Sequence, residues 1–246
     1  MLKIRMNWIH SVRKRSASGR ALAMTAKRIM PIIIFSLLVI LLMSSCSKST
    51  KPDDDFEIDA MGTITFDGEK WIVLDMDHDR LLILSQFILF TSAYNQPMTA
   101  DITWETSSIR EYLNNTYYNS INADSRALIQ TTTIENPDNP WYGTDGGNDT
   151  EDKIFLLSLQ EVCKYFGGEE QLYNRPGEWA FLIDDEYNEN RIARQKNMVP
   201  EAWWLRSTAR PYDATFVSRN GRVYVSGLFA HIDDYGVRPA MWISRK

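Results

Sequence analysis

The sequence predicts one α+β domain, built mostly from short antiparallel strands and hairpins with two main helices and long loops. Two turns of the kind that closes β-hairpins, Asp-Gly at 67–68 and Asn-Gly at 220–221, lie near opposite ends of the folded region. Two helix-start patterns, at 108–111 and 158–161, lie between them. Because strands occupy both ends and helices the middle, the order lacks the regular alternation of a parallel sheet and favours an α+β fold.

The strands are predicted from their apolar patterns. Alternation around the first turn predicts a hairpin that pairs residues 64–66 with 69–74. The unbroken apolar runs at 81–84 and 154–157 are typical of buried strands. Strands are also predicted at 203–205, 216–218, 223–225 and 235–243, and residues 131–134 are predicted to be extended.

The two main helices are predicted from their first residues. The first begins with a capping-box pattern at Ser108 and Glu111, and an apolar stripe at helical spacing follows. The second begins with the same pattern at Ser158 and Glu161. It ends at the Gly-Gly pair 167–168, because glycine tolerates the left-handed conformation that commonly closes a helix.

The first 45 residues have the layout of an export signal. An apolar run at 32–43 follows Lys27 and Arg28 and is shorter than the roughly 20 residues that span a bilayer. Small residues then precede Cys46, an arrangement that resembles the lipobox of bacterial lipoproteins, in which the cysteine carries the lipid. We therefore expect residues 1–45 to be a signal peptide. We also expect a lipid at Cys46 to anchor the protein to a bacterial cell-envelope membrane, on its extracytoplasmic side.

The bounds of the remaining segments follow from this interpretation. Met24 opens a signal of ordinary length, so translation is expected to start there rather than at Met1. Residues 46–56 are polar and acidic and predict a short solvated tether, which leaves 57–246 as the globular domain. An uncleaved membrane anchor is the alternative interpretation of the apolar run.

Charge is distributed unevenly along the chain. Residues 1–45 contain eight bases and no acid, which leaves 19 bases against 32 acids in the remainder. So acidic a domain repels nucleic acid phosphates, and no nucleic-acid partner is expected. With Cys46 lipidated, Cys163 has no cysteine to pair with, and its place on an apolar helix face predicts a buried thiol.

Six short motifs occur in a fixed order along the domain. They read WIVLD at 71–75, LLILS at 81–85, W..SSIREYLN at 104–114, DKIFLLS at 152–158, WWLRS at 203–207 and GVRPAMW at 236–242. In this order they resemble the bacterial family known as domain of unknown function 6273, over roughly residues 57–246. The structural signature of the family falls on Asp152, Trp204, Arg206, Gly236, Arg238 and Pro239.

That family is similar to domains with a C-type-lectin-like fold, including the formylglycine-generating group. The relation rests on the closing Gly-Val-Arg pattern and the Asn-Gly hairpin before it. It implies a C-type-lectin-like fold and no particular activity. The cysteine pair that binds copper in formylglycine-generating enzymes is absent from this sequence.

The long irregular segments, 136–152 and 167–200, hold the candidate ligand residues. The aromatic side chains expected to be exposed and able to stack on a glycan are Trp141, Tyr142, Tyr173 and Trp179. The acidic stretch 145–152 is a candidate calcium site, because calcium prefers several oxygen ligands on a Gly-containing loop. Its predicted ligands are Asp145, Asn148, Asp149 and Asp152. The alternative is a solvated loop in which Asp152 fixes the next strand, and no other cofactor is expected.

We expect a lipid-anchored envelope protein whose domain binds a glycan or protein ligand without catalysis. An envelope hydrolase or modifying enzyme that uses carboxylates is the first alternative. Against it, no nucleophile motif accompanies His78 or His231, and the many acids select no pair, so no catalytic residue is predicted. The second alternative is a structural or assembly component of the envelope.

Overall fold

The computed structural model describes residues 56–245. The predicted signal 1–45, the start at Met24, the lipid site Cys46 and the tether up to residue 55 lie outside the described residues. Within the described range the chain forms an α+β fold of many short, mostly antiparallel strands, as predicted. None of the helices in that range is long and apolar enough to cross a bilayer.

The elements are short. The strands are β1 (Thr63–Phe66), β2 (Glu69–Asp77), β3 (Arg80–Ser85), β4 (Phe90–Thr91), β5 (Thr132–Ile134), β6 (Thr150–Asp152), β7 (Leu182–Ile183), β8 (Ala193–Arg194), β9 (Pro200–Glu201), β10 (Trp203–Thr208), β11 (Asp213–Val217), β12 (Val223–Phe229), β13 (Gly236–Val237) and β14 (Ala240–Ser244). The helices are α1 (Ser108–Tyr112), a π-helical turn (Leu113–Tyr117), α2 (Tyr118–Ser120), α3 (Ala123–Arg126), α4 (Leu159–Phe166), α5 (Glu169–Tyr173) and α6 (Asn188–Arg191).

The first sheet has the strand order β1-β2-β3-β14. Its opening hairpin is confirmed, because Asp67 and Gly68 both have positive φ angles, 50° and 77°, as a tight two-residue turn requires. The pairing places Ile64 opposite Trp71, and both side chains are buried. The predicted run 81–84 is the fully buried centre of β3.

The second sheet has the order β4-β13-β10-β11-β12-β7. Its strands pair antiparallel except for β10 and β13, which run parallel with Trp203 opposite Gly236. A Cβ atom at Gly236 would lie 2.9 Å from the carbonyl oxygen of Ala202 and 2.7 Å from Ile88 Cδ1. Only glycine lets these two strands approach so closely.

The single strand predicted at 235–243 is wrong, because the chain forms two strands there, in different sheets. β13 belongs to the second sheet and β14 to the first, and Arg238 and Pro239 lie between them. Pro239 has no N–H with which to continue a ladder. Its carbonyl oxygen accepts a hydrogen bond from the Ser85 backbone N–H at 2.9 Å. The motif at 236–242 is therefore where the chain crosses from one sheet to the other.

The prediction for residues 154–157 is correct in burial and wrong in pairing. All four side chains are buried, but the segment forms only an isolated bridge, between Phe155 and Ala240 of β14. On its other side the Leu157 carbonyl oxygen accepts from the backbone N–H of Arg206 on β10. The segment thus contacts a strand of each sheet and pairs continuously with neither.

One of the two predicted helix starts is correct, and the other is one residue away from its predicted position. Ser158 and Glu161 form the predicted capping box of α4, and Gly167 ends that helix with a φ of 99°. The cap of α1 was misplaced by one residue, since Ser107 accepts the hydrogen bond from the Arg110 backbone N–H. The hydroxyl of Ser108 instead accepts from the backbone N–H of Gln96.

Candidate functional site

A row of aromatic side chains crosses three neighbouring strands of the second sheet. Trp204 on β10 lies opposite Phe216 on β11, and Phe216 lies opposite Tyr224 on β12. Directly opposed residues share one face of a sheet, so the three rings line up on the same side. The adjacent residues Trp203 and Val217 point to the other face and are fully buried in the core.

Two further rings extend this row. Tyr235, just before β13, stacks on Trp204 with ring centroids 4.5 Å apart and meets Phe216 edge-on at 4.9 Å. Phe216 stacks on Tyr224 at 4.5 Å, and Phe181 lies 6.1 Å from Tyr224. Each such pair contributes about 1 kcal/mol beyond the burial of its surface, so the rings hold one another in place.

Four of these rings, Phe181, Phe216, Tyr224 and Tyr235, line a groove of about 510 Å³, which we call the aromatic groove. This volume lies within the range of small-ligand sites. Its partly exposed rings are Phe181, Tyr224 and Tyr235. Its polar edges are formed by Glu201, Ser218, Arg219, Asn220, Ser226 and Asp234. Apolar faces beside hydrogen-bonding groups suit a ligand that is itself apolar on one side and polar at its rim.

The hairpin turn between β11 and β12 places three of these polar residues at the groove. The Gly221 backbone N–H donates to the Ser218 carbonyl oxygen at 2.9 Å, and Gly221 has a φ of 79°. A Cβ atom at this position would collide with the carbonyl oxygen of Asn188. The predicted Asn-Gly hairpin is therefore confirmed, and its glycine is required by close approach as well as by the turn.

An ion pair fixes one edge of the aromatic groove. Arg219 Nε donates to Glu201 Oε1 at 2.8 Å, and the same oxygen accepts from the Ala202 backbone N–H at 3.1 Å. This hydrogen bond and the charge of Glu201 raise the pKa of the Arg219 guanidinium, so it stays cationic. Burial raises the pKa of the neighbouring Tyr235, whose hydroxyl therefore stays protonated at neutral pH.

Trp179 lies two residues before Phe181, so their Cα atoms are at most about 7 Å apart. Its side chain is 90% exposed, the highest value among the exposed large hydrophobic residues of the described range. The loop that carries it is braced by Arg175, whose Nε and Nη2 donate to the Ala180 carbonyl oxygen at 3.1 and 2.6 Å. Arg175 Nη1 also donates to the Trp141 carbonyl oxygen. A large apolar ring thus stands in water on a well-fixed loop beside the aromatic groove.

The other aromatic residues predicted from sequence lie in different surroundings. The expected exposure of Trp141 is wrong, since it is 7% exposed and its indole Nε1 donates to the Leu172 carbonyl oxygen at 2.7 Å. Tyr142 is partly buried, with Arg175 over its ring. Tyr173 on α5 is 63% exposed and does not line the aromatic groove.

The predicted calcium ligands each have partners of their own. Asp145 Oδ1 accepts from the Gly147 backbone N–H, and Asp149 Oδ1 accepts from that of Asn136. Asn148 donates to Glu105 Oε2 across the surface. Among residues 56–245 no group of three or more His, Cys, Asp or Glu side chains is arranged to hold a metal ion.

Asp152, the fourth predicted ligand, is a buried anchor. Its Oδ1 accepts from Arg110 Nε at 2.8 Å. Its Oδ2 accepts from Trp104 Nε1 at 2.8 Å and from the Thr150 hydroxyl at 2.7 Å. With its side chain fully buried, this carboxylate ties β6 to Arg110 of α1 and to Trp104 before it.

Arg206 joins three segments that are distant in sequence. Its guanidinium donates to Glu161 in the capping box of α4 and to the Leu156 carbonyl oxygen, the latter at 2.8 Å. It also donates to the carbonyl oxygen of Glu135 and to the side-chain oxygen of Asn136. The side chain is almost fully buried, so it acts inside the fold rather than on a ligand.

Arg238 is buried without a carboxylate partner among the described residues. Its Nε donates to the Ser85 carbonyl oxygen at 2.8 Å, and its guanidinium lies 5.0 Å from the Trp203 ring centre and 5.7 Å from that of Phe166. Burial lowers its pKa to about 9.

Cys163 is also buried, as predicted, and burial raises its pKa to about 12, which disfavours the reactive thiolate.

The rings of the aromatic groove were not recognised in the sequence. Phe181, Phe216, Tyr224 and Tyr235 come from separate segments, and only strand pairing unites them. The hairpin at 220–221 was a usable signal, because pairing across it brings Phe216 and Tyr224 together.

The fold and this groove define an α+β domain whose second sheet displays aromatic rings to a ligand-sized cleft. A family model described as domain of unknown function (DUF6273) matches residues 78–245, and the chain belongs to that family. The matched range includes the aromatic groove and begins after β1 and β2. No curated protein and no solved structure matches the chain.

Proposed function

We propose that this protein is a lipid-anchored component of a bacterial envelope whose domain binds a glycan or protein ligand in the aromatic groove without catalysis. The observation that carries the proposal is the row of stacked rings beside hydrogen-bonding side chains in a cleft of about 510 Å³. The C-type-lectin-like fold is part of this proposal.

Rigidity of the rings supports a binding role. Tyr235 is held by Trp204, and Trp204 Nε1 donates to the Ser92 carbonyl oxygen at 2.8 Å. Because the rings are already ordered, a ligand that contacts them does not have to bear the entropy cost of fixing them. The 90% exposed Trp179 beside this groove adds surface that a ligand would remove from water.

The envelope location is supported by the order of the N-terminal segments. An apolar run, small residues and Cys46 precede an acidic tether and then the domain. Anchored in this way, the domain meets ligands outside the cytoplasm, where surface glycans and exported proteins are available.

The experiment is a binding screen with matched variants. The full chain in a polyoxyethylene detergent is tested against immobilised oligosaccharides, peptides and bacterial surface polymers. We expect Phe181→Ala and Trp179→Ala to weaken binding about tenfold or more, because each removes a stacking face. Tyr173→Ala is the control, an exposed aromatic outside the groove. Loss of binding in the control alone would contradict the proposal and move the site to α5.

One observation favours a hydrolytic role, because two carboxylates, Glu201 and Asp234, line the groove. One Glu201 oxygen, Oε1, already accepts from Arg219 Nε and from the Ala202 backbone N–H, which reduces its access to a substrate. Incubation of the same oligosaccharides with the protein, followed by analysis of chain length, separates the two roles. We expect no shortening, and shortening that Glu201→Gln abolishes would establish the enzyme instead.

A further inference from the structure

We propose that the ligand of the aromatic groove is an uncharged oligosaccharide, bound without calcium through the Arg219–Glu201 pair and the adjacent rings. This inference rests on the proposed function, because it names the ligand class of the same site. It follows from which hydrogen-bonding atoms the groove offers, from their charge, and from the shape of its apolar surface.

The ion pair is arranged so that only one partner is presented to solvent. The Glu201 side chain is 13% exposed and that of Arg219 is 69% exposed. The contact uses Nε of Arg219, and no other described residue bonds its two terminal nitrogens. The end of the guanidinium therefore presents parallel N–H donors in a fixed orientation, which suits two adjacent acceptor oxygens.

The charges at the groove select against anionic ligands. The charges of Glu201 and Asp234 both act on Arg219, and the three groups sum to one negative charge. An anionic ligand would be repelled by the two acids and by a domain rich in acids. A cationic ligand would have to compete with Arg219 for Glu201. A hydroxyl group is uncharged and both donates and accepts, so it can accept from Arg219 and donate to an acid at the groove edge.

The aromatic rings of the groove provide the apolar surface that the ligand contacts. The partly exposed faces of Tyr224, Tyr235 and Phe181 can pack against the C–H face of a pyranose ring while its hydroxyl groups point to the polar edge. Trp179 provides another apolar face outside the groove proper. Two separated faces favour a chain of linked sugars over a single sugar, so affinity should rise with chain length.

The test uses the full chain in a polyoxyethylene detergent, which lacks a sugar headgroup that could compete. Calorimetric titrations compare malto-, cello- and manno-oligosaccharides of increasing length with oligogalacturonate, each with calcium and with chelator. We expect at least one neutral series to bind, with affinity that rises with length and is unchanged by chelator. Oligogalacturonate should bind about tenfold more weakly or not at all.

Two matched arginine variants test the role of the ion pair. Arg219→Met keeps the aliphatic length and removes the donors, and we expect the neutral series to bind about tenfold more weakly. Arg210→Met is the control, because Arg210 is also exposed, pairs with Asp213 at 3.3 Å and does not line the groove. It should bind as the unmodified protein does.

The possible results distinguish a wrong ligand class from a wrong binding site. Tighter binding of oligogalacturonate, a requirement for calcium, or an Arg219→Met variant that binds normally would overturn the inference. If only peptides or proteins bind and Phe181→Ala abolishes that binding, the inference fails and the proposed groove stands. If Phe181→Ala and Trp179→Ala leave all binding intact, both fail.

Discussion

At the residue scale, Asp152 shows why an acidic loop need not be a metal site. It was a predicted calcium ligand because it ends a Gly-containing acidic stretch. In the structure three donors, from Trp104, Arg110 and Thr150, occupy its two oxygens, and no solvent reaches it. A buried carboxylate is stable only when donors of this kind replace water.

We predict that Asp152→Asn lowers the free energy of unfolding by about 3 kcal/mol. The amide nitrogen would face either Arg110 or the Trp104 and Thr150 donors, and the arginine would lose its charged partner. Denaturant unfolding monitored by tryptophan fluorescence measures the loss. Asp149→Asn is the control, because an asparagine there keeps the oxygen that accepts from Asn136. Equal stability of the two variants would contradict this account of Asp152.

At the element scale, a side chain covers the start of the free edge of β1. Asp59 accepts from the backbone N–H groups of Met61 and Thr63 and from the Thr63 hydroxyl. The bond from the Thr63 hydroxyl is the main reason that the pKa of Asp59 lies near 2, below the usual 3.8. The folded protein thus favours the charged carboxylate more than the unfolded chain does.

The lowered pKa of Asp59 determines how the stability of the fold changes with pH. Because the folded pKa is the lower one, Asp59 stabilises the fold above pH 3.8, and the contribution is lost as pH falls towards 2. We predict that the stability difference between the native chain and Asp59→Asn shrinks over that interval. Urea unfolding of both proteins at a series of acidic pH values measures it. A difference that stays constant with pH would show that the carboxylate charge is not involved.

The start of α4 is held by a carboxylate with two roles. Glu161 accepts from the Ser158 backbone N–H in the capping box, and it also pairs with the buried Arg206. We predict that Glu161→Ala costs about 2 kcal/mol of stability, since it removes the acceptor for the Ser158 backbone N–H and leaves Arg206 with neutral acceptors only. Thermal or urea unfolding measures this loss. The same change at Glu170, an exposed acid in the first turn of α5, should cost less than about 0.5 kcal/mol, and equal losses would contradict the second role of Glu161.

At the scale of the whole molecule, the sequence predicted what local physics decides. The Asp-Gly and Asn-Gly hairpins and the cap at Ser158 depend on neighbouring residues, and all three are present. The prediction missed the split of the last strand at Pro239, although proline lacks the N–H that a ladder needs. The family was recognisable because its motifs occur in a fixed order.

What could not be predicted depends on residues that meet only in the folded chain. Trp141 follows a proline in a polar loop, yet it is buried because its indole reaches the Leu172 carbonyl oxygen on a distant helix. The groove unites Phe181, Phe216 and Tyr235 through the pairing of strands from different parts of the sequence. The pattern of residues along the chain does not indicate contacts between residues that are distant in sequence.

The most direct test of the central claim is to map where a ligand binds on the isotopically labelled protein. NMR spectra of the backbone amides and indoles are recorded during titration with the oligosaccharide that binds most tightly. We predict that the largest shifts fall on the aromatic groove, at Phe181, Glu201, Arg219 and Tyr224, with a shift of the Trp179 indole. Shifts confined to α5 around Tyr173, or to the acidic loop at 145–152, would contradict the account and place the binding site there.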